Sequence, residues 1–303
     1  AETAGFCWGV KRAVDGARGL RAKTGKPIFV FGHLVHNATV VKDLEGEGIY
    51  VIATLEEARE QARGKVILVT AHGLNPRVRA ELEMIAERVV DMTCPIVENV
   101  HRAALELQAE GRRMVIIGTP RSHPEVQGIL GVLHGEALLI ESMRDFHTAL
   151  WLFSRNDLIG VVAQTTFNER EVKRIVGRIN ENFPNARYLS LPSVVNPNYP
   201  TAICDDISFK QNELRRLAPK CDRVIVVGDP SSANSRHLAE IADWELGIKT
   251  AFVLNDSGLD SEFVAGATRV FVTAGALTPE SSILGVCRLL EKLGSPKEES
   301  PKA

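Results

Sequence analysis

The chain has 303 residues, 45% of them hydrophobic and 24% charged, with a formal net charge of −2. That length exceeds one small core and predicts two or three domains of about 100 residues each, while the composition excludes a disordered protein. The near-neutral charge, spread without long like-charge runs, excludes an electrostatic footprint for nucleic acid or an acidic membrane surface, and no apolar run reaches the roughly 18 residues of a bilayer span.

The chain opens "AETAGFC", with neither an initial methionine nor the hydrophobic strand expected before such a turn, so further residues upstream are expected. No signal-peptide pattern is seen, and a soluble, intracellular protein is expected. After Cys7 the stretch "WGVKRAVDGARGL" carries Val10, Ala13, Val14 and Ala17 at helical spacing. A strand then ends in glycine and a polar turn, "IFVFGHLVHN". "TLEEARE" predicts a capping box of Thr54 and Glu57, and "VILVTAHGLNP" is a second strand ending in small residues. The order repeats from "MTCPIVENVHRAALELQAEG", where Pro95 suits a first helical position and Val97, Val100, Ala104 and Leu107 mark the buried stripe. "MVIIGTPRSHPEV" and "IGVVAQTTFN" follow as strands with polar turns. The prolines and asparagines of "LPSVVNPNYP" predict an irregular connection. A third round runs through "AICDDISFKQNELRRLAPK", "RVIVVGDPSSANS" and "VFVTAGALTP", and the final "GSPKEESPKA" reads as a disordered tail.

The intervals between cysteine and strand-ending glycine are nearly constant: 25 residues from Cys7 to Gly32, 24 from Cys94 to Gly118 and 24 from Cys204 to Gly228. They predict three copies of one α/β unit with small parallel sheets, over residues 1–94, 95–193 and 194–293, with a tail over 294–303. Functional residues of parallel sheets gather at the carboxyl ends of strands. If the units pack about a pseudo-threefold axis with those ends inward, a trefoil results in which three cysteines meet three sets of polar turns.

Five cysteines at wide spacings argue against a disulfide framework and for reduced thiols. Cys221 and Cys287 have no repeated context and read as small buried hydrophobes. Cys7, Cys94 and Cys204 share one context and read as metal ligands. Zinc would take the three with a histidine, and a 4Fe-4S cluster would take the three and leave one iron without a protein ligand; spacing does not choose between them. The turns add His36 with Asn37, His72, His123, Glu125, Thr165, Ser232 and Asn234. Histidines, hydroxyls, amides and helix N-termini suit phosphate oxygens, and Glu125 is the evident proton donor. Simpler roles exist for several of these: Ser232 and Asn234 as helix caps, and Thr165 and Thr166 as strand residues. His33, His101, His134, His147 and His237 receive no role.

Together "GFCWGVKRA", "VHN", "AHG", "TCP", "HPEV", "QTT", "IC" with Gln211 seven residues on, "NSRHLAE" and "TAGA" make nearly the whole chain resemble the 4-hydroxy-3-methylbut-2-enyl diphosphate reductases of the non-mevalonate isoprenoid pathway. The resemblance implies a trefoil around a 4Fe-4S cluster held by Cys7, Cys94 and Cys204. It implies reductive removal of an allylic hydroxyl to give isopentenyl and dimethylallyl diphosphates. Glu125 would supply a proton through Thr165. His36, His72, His123, Ser232 and Asn234 would hold the diphosphate, and a ferredoxin or flavodoxin would deliver electrons. The implied location is the cytoplasm, or a plastid if an upstream transit segment is missing.

The chain departs from the family pattern in places. Leu277 stands where a serine usually binds diphosphate, and Ala233 is a milder change. After Cys204 the pattern "ATxxRQ" becomes "DISFKQ", preceded by Asp205, and the two carboxylates of Asp205 and Asp206 are expected to repel a diphosphate unless they point away. The turn "GTPRSHPEV" is one residue longer than expected and carries Arg121. These changes leave open a paralog reducing another substrate. A non-catalytic electron carrier or redox sensor and a zinc protein are the readings from other classes.

Overall fold

Runs of four or five residues rich in Val and Ile, too short for helices, build three small parallel sheets. The computed structural model describes the chain apart from His33, residues 35–37, residues 190–202 and residues 295–303. His36, Asn37, the connection at 191–200 and all of the expected tail but Gly294 therefore lie outside the described residues. The backbone divides into two compact units, Cys7–Gln211 and a smaller one made of Ala1–Phe6 with Asn212–Ala303.

The larger unit holds two sheets. The first comes from α1 (Trp8–Thr24), β1 (Ile28–Phe31), α2 (Ala38–Gly46), β2 (Ile49–Ile52), α3 (Leu55–Gln61), β3 (Val66–Val69), α4 (Pro76–Ile85) and β4 (Arg88–Asp91), in the order β2-β1-β3-β4. The same order recurs as β6-β5-β7-β8 in α5 (Pro95–Ala109), β5 (Arg113–Ile117), α6 (Pro124–Val132), β6 (Ala137–Ile140), α7 (Met143–Ala149), β7 (Ile159–Ala163), α8 (Glu169–Asn182) and β8 (Arg187–Tyr188). After α9 (Asp205–Leu217), the smaller unit contains β9 (Arg223–Val227), α10 (Ala233–Glu240), β10 (Thr250–Val253), α11 (Ser261–Val264), β11 (Val270–Ala274) and α12 (Glu280–Gly294). Its sheet runs β10-β9-β11.

In every sheet the two strands with functional turns lie side by side, their last residues paired: Phe31 with Val69, Ile117 with Ala163, and Val227 with Ala274. Strand order reverses between them, which opens a crevice at their carboxyl ends. The strands are apolar on both faces because helices cover both. β9, for example, sends Val224 and Val226 into one cluster with Leu214 and Leu238, and Ile225 and Val227 into another with Val286. Cys221 packs at the edge of the first of these clusters, as a small hydrophobe.

Helix ends follow their sequence signals. α1 buries Val10, Ala13, Val14 and Ala17 and stops at Gly25, whose φ of 65° suits glycine and whose N–H donates to the Arg21 carbonyl. Thr54 caps α3 by accepting the Glu57 N–H at 3.1 Å, but Glu57 reaches back to the Ala53 N–H, at 2.6 Å, one residue beyond the usual capping-box partner.

Candidate active site

Each of the three repeated cysteines stands at the mouth of a helix, and all three belong to the larger unit. Cys7 caps α1 in extended conformation, with its Sγ accepting the Val10 N–H at 3.4 Å. Cys94 occupies the same position before α5, where Pro95 takes the first helical place. Cys204 precedes α9, and its carbonyl accepts the Ser208 N–H at 2.9 Å. The first N–H groups of a helix lack intrahelical acceptors, so each sulfur faces partial positive charge.

Two residues that sequence reasoning gave no role hold the first pair of cysteines together. From α1, Arg12 donates through Nη2 to the carbonyls of Met92 and Thr93, at 3.0 and 2.5 Å. The helix opened by Cys7 thus grips the segment that presents Cys94. Gly9 leaves the space between their sulfurs clear: a Cβ there would stand 2.9 Å from Cys94 Sγ and 3.9 Å from Cys7 Sγ.

Electrostatics couple the trio. Burial pushes the Cys7 thiol up to about 11 against the Val10 N–H, and Asp206 and Cys94 push the same way as burial. Burial also raises Cys94, while the amides of Ile96 and Val97 pull it down. Cys204 is raised well above its ordinary value, chiefly by burial, with Cys7, Asp206 and Cys94 adding to the rise against the Ile207 N–H. The thiols alone hold their protons at neutral pH, and a bound metal centre inverts that preference. Among the described residues no group of three His, Cys, Asp or Glu side chains is disposed to hold a single metal ion. Helix-capping, mutually coupled thiols around a gap free of side chains are donors of the kind that an iron-sulfur cluster takes.

A buried carboxyl adjoins this cradle. Glu125 lies in the first turn of α6, 1% exposed, behind Pro124 and the cap His123, whose Nδ1 accepts the Glu125 N–H at 3.2 Å. That bond makes Nδ1 the acceptor of a neutral ring and leaves the ring proton on Nε2. Thr165 donates to Glu125 twice, by its N–H to Oε1 at 2.6 Å and by its hydroxyl to Oε2 at 3.1 Å. Burial outweighs both bonds and pushes the carboxyl up to about 7. The Thr165 carbonyl in turn accepts the Cys204 N–H at 3.0 Å, so proton donor, relay hydroxyl and third cysteine form one hydrogen-bonded run.

Side-chain amides keep that run in place. Gln164 accepts the Thr119 N–H at 2.9 Å and donates to the Thr166 hydroxyl at 2.9 Å, joining the turns after β5 and β7. Gln211, on α9, accepts the Glu169 N–H at 3.0 Å and donates to the Phe167 carbonyl at 2.9 Å, while the Ser208 hydroxyl donates to Glu169 at 2.5 Å. His72, after β3, stands edge-on to His123 with ring centroids 5.7 Å apart and planes at 85°. His72, His123, Glu125 and Thr165 are thereby brought together, and His36 lies outside the described residues.

In the smaller unit Ser232 caps α10, accepting the Ser235 N–H at 3.4 Å. Asn234 is 3% exposed, and among the described residues neither end of its amide has a hydrogen-bond partner. Such a buried amide is costly unless a ligand completes it. Leu277 is buried, and the Thr278 hydroxyl is committed to the Val227 carbonyl at 3.0 Å, so it is no ready substitute for a serine at 277. The Asp206 carboxylate, expected to repel an anion, is ion-paired with Lys210 Nζ at 2.8 Å. Arg121 is exposed.

The three-sheet α/β architecture defines a class that solved structures share. The structure of the E-1-hydroxy-2-methyl-but-2-enyl-4-diphosphate reductase from Plasmodium falciparum aligns with a TM-score of 0.84 at 26% identity, over 97% of this chain and 86% of that one. A second solved structure, of (E)-4-hydroxy-3-methyl-but-2-enyl diphosphate reductase, aligns with a TM-score of 0.64 at 32% identity over 96% and 98%. A protein of Bordetella pertussis named 4-hydroxy-3-methylbut-2-enyl diphosphate reductase is 34% identical over 97% of this chain and 86% of its own length. The chain belongs to the LytB protein family, whose family model matches residues 1–291.

Proposed function

We propose that this protein is a 4-hydroxy-3-methylbut-2-enyl diphosphate reductase, which replaces the allylic hydroxyl by hydrogen with two electrons and two protons and releases water. The names of its relatives and family support that activity. Cys7, Cys94 and Cys204 would hold a 4Fe-4S cluster. Such a group, with one iron lacking a protein ligand, supplies a Lewis acid and a source of electrons.

The protein's own residues account for proton delivery and anion binding. Glu125, whose carboxyl burial pushes up to about 7, stands with Oε2 accepting the Thr165 hydroxyl at 3.1 Å; in its protonated form it gives its proton to that hydroxyl, which passes its own on towards the substrate. His72, His123 through Nε2, and His36 hold phosphate oxygens without placing a second carboxylate beside them. Ser232 and Asn234 add a hydroxyl and an amide, and the unpaired state of the Asn234 amide supports a ligand-binding role. A ferredoxin or flavodoxin delivers the electrons. No described helix is long and apolar enough to cross a membrane, and all five cysteines are free of disulfides. Free thiols suit a reducing compartment, the cytoplasm or a plastid.

The observation that carries this reading is the run from Glu125 through Thr165 to Cys204. It couples a proton donor to one of the cluster's supports. Glu125→Gln tests it in anaerobically reconstituted protein. Turnover should fall by about 10²-fold or more while the visible spectrum of the cluster stays intact. Unchanged turnover removes Glu125 from the mechanism.

A further inference from the structure

Two charged residues after Cys204 answer each other. Asp206 and Lys210 stand one helical turn apart on α9. Lys210 is 2% exposed, and its ammonium donates to Asp206 Oδ2 at 2.8 Å. A buried ammonium without a counter-charge is strongly disfavoured, so each residue makes the other tolerable. The pair occupies the first turns of α9, two and six residues from Cys204. Both charges reach Cys7 with opposite sign, and Asp206 also acts on Cys204.

We propose that the Asp206–Lys210 pair is a charge-balanced unit that holds the reduction potential of a cluster borne by Cys7, Cys94 and Cys204 between the values that either charge alone would give. The inference rests on the reading of those three cysteines as ligands. Reduction adds negative charge to a cluster, so a neighbouring carboxylate opposes it and a neighbouring ammonium favours it. Paired, the two largely cancel. Asp206 alone would make the cluster harder to reduce, and its partner Lys210 offsets that effect.

The test is a potentiometric titration of anaerobically reconstituted full-length protein, followed by electron paramagnetic resonance, with iron content scored for each variant. Asp206→Asn leaves an unbalanced ammonium and should shift the midpoint potential upward. Lys210→Met leaves an unbalanced carboxylate and should shift it downward. Lys210→Arg and the double variant Asp206→Asn with Lys210→Met should both stay close to wild type. Should a single variant fail to load, the double variant decides: a wild-type potential supports the balance and a displaced one overturns it. Single variants that load fully with an unchanged potential, or that shift in the same direction, also overturn it. Wild-type protein that takes up no cluster instead refutes the ligand assignment, an outcome separated by its iron content.

Discussion

Glu125 has lost its solvation without gaining enough partners to hold a negative charge. Thr165 offers it two hydrogen bonds that favour the carboxylate, yet burial dominates and carries it from an ordinary 4.5 up to about 7. As the proton donor it acts in its protonated form. We therefore expect kcat/KM to be level on the acid side and to fall as pH rises through about 7, with this limb absent from the residual activity of Glu125→Gln. A profile whose alkaline limb survives that substitution unchanged would assign the limb to another group. Thr165→Val keeps the backbone N–H and removes the relay hydroxyl, so kcat should drop by about 10²-fold while KM changes little, and Thr165→Ser should recover most of the loss. At this scale the sequence displayed the actors without their pairing. Glu125 and Thr165 are 40 positions apart, and only the adjacency of β5 and β7 joins them. The expectation that Asp206 repels a diphosphate unless it points away counted its charge alone, and the lysine one turn further along the helix pairs with it.

Helix mouths and glycine gaps do the positioning at the level of elements. In Gly9→Ala the new Cβ intrudes at 2.9 Å from Cys94 Sγ. The apoprotein should still fold, with the Cys94 side chain displaced by the new Cβ, while cluster loading, measured as iron per chain, falls sharply. Equal loading would show that the gap is dispensable. Gln211→Ala acts differently. It removes the bonds from Gln211 to the Glu169 N–H and the Phe167 carbonyl, at about 0.5–1.5 kcal/mol each, and denaturant unfolding should register that loss. Central strands such as "RVIVV" were legible as continuous apolar runs, and α1 as a periodic stripe. An outer strand such as β8, with two residues, was not. Neighbouring strands, rather than local composition, create such edges.

Across the molecule, near-constant intervals between cysteine and glycine made the repeated order legible, and the sheets share one strand sequence, with β10-β9-β11 matching the first three strands of the others. Repetition puts each cysteine before a helix and each pair of polar turns at a strand-order reversal. One such unit can thus be used three times with different side chains at equivalent places. Spacing could not choose the metal, since it reports where thiols recur along the chain and not how widely they stand in space. The departures at Leu277 and around Cys204 bear on the substrate, and a substrate assay addresses them directly. The most direct test is an anaerobic assay of fully loaded protein with a reduced ferredoxin or flavodoxin and 4-hydroxy-3-methylbut-2-enyl diphosphate. Isopentenyl and dimethylallyl diphosphates should form, with two electrons consumed per substrate. Loaded protein that neither binds nor reduces this diphosphate would contradict the account.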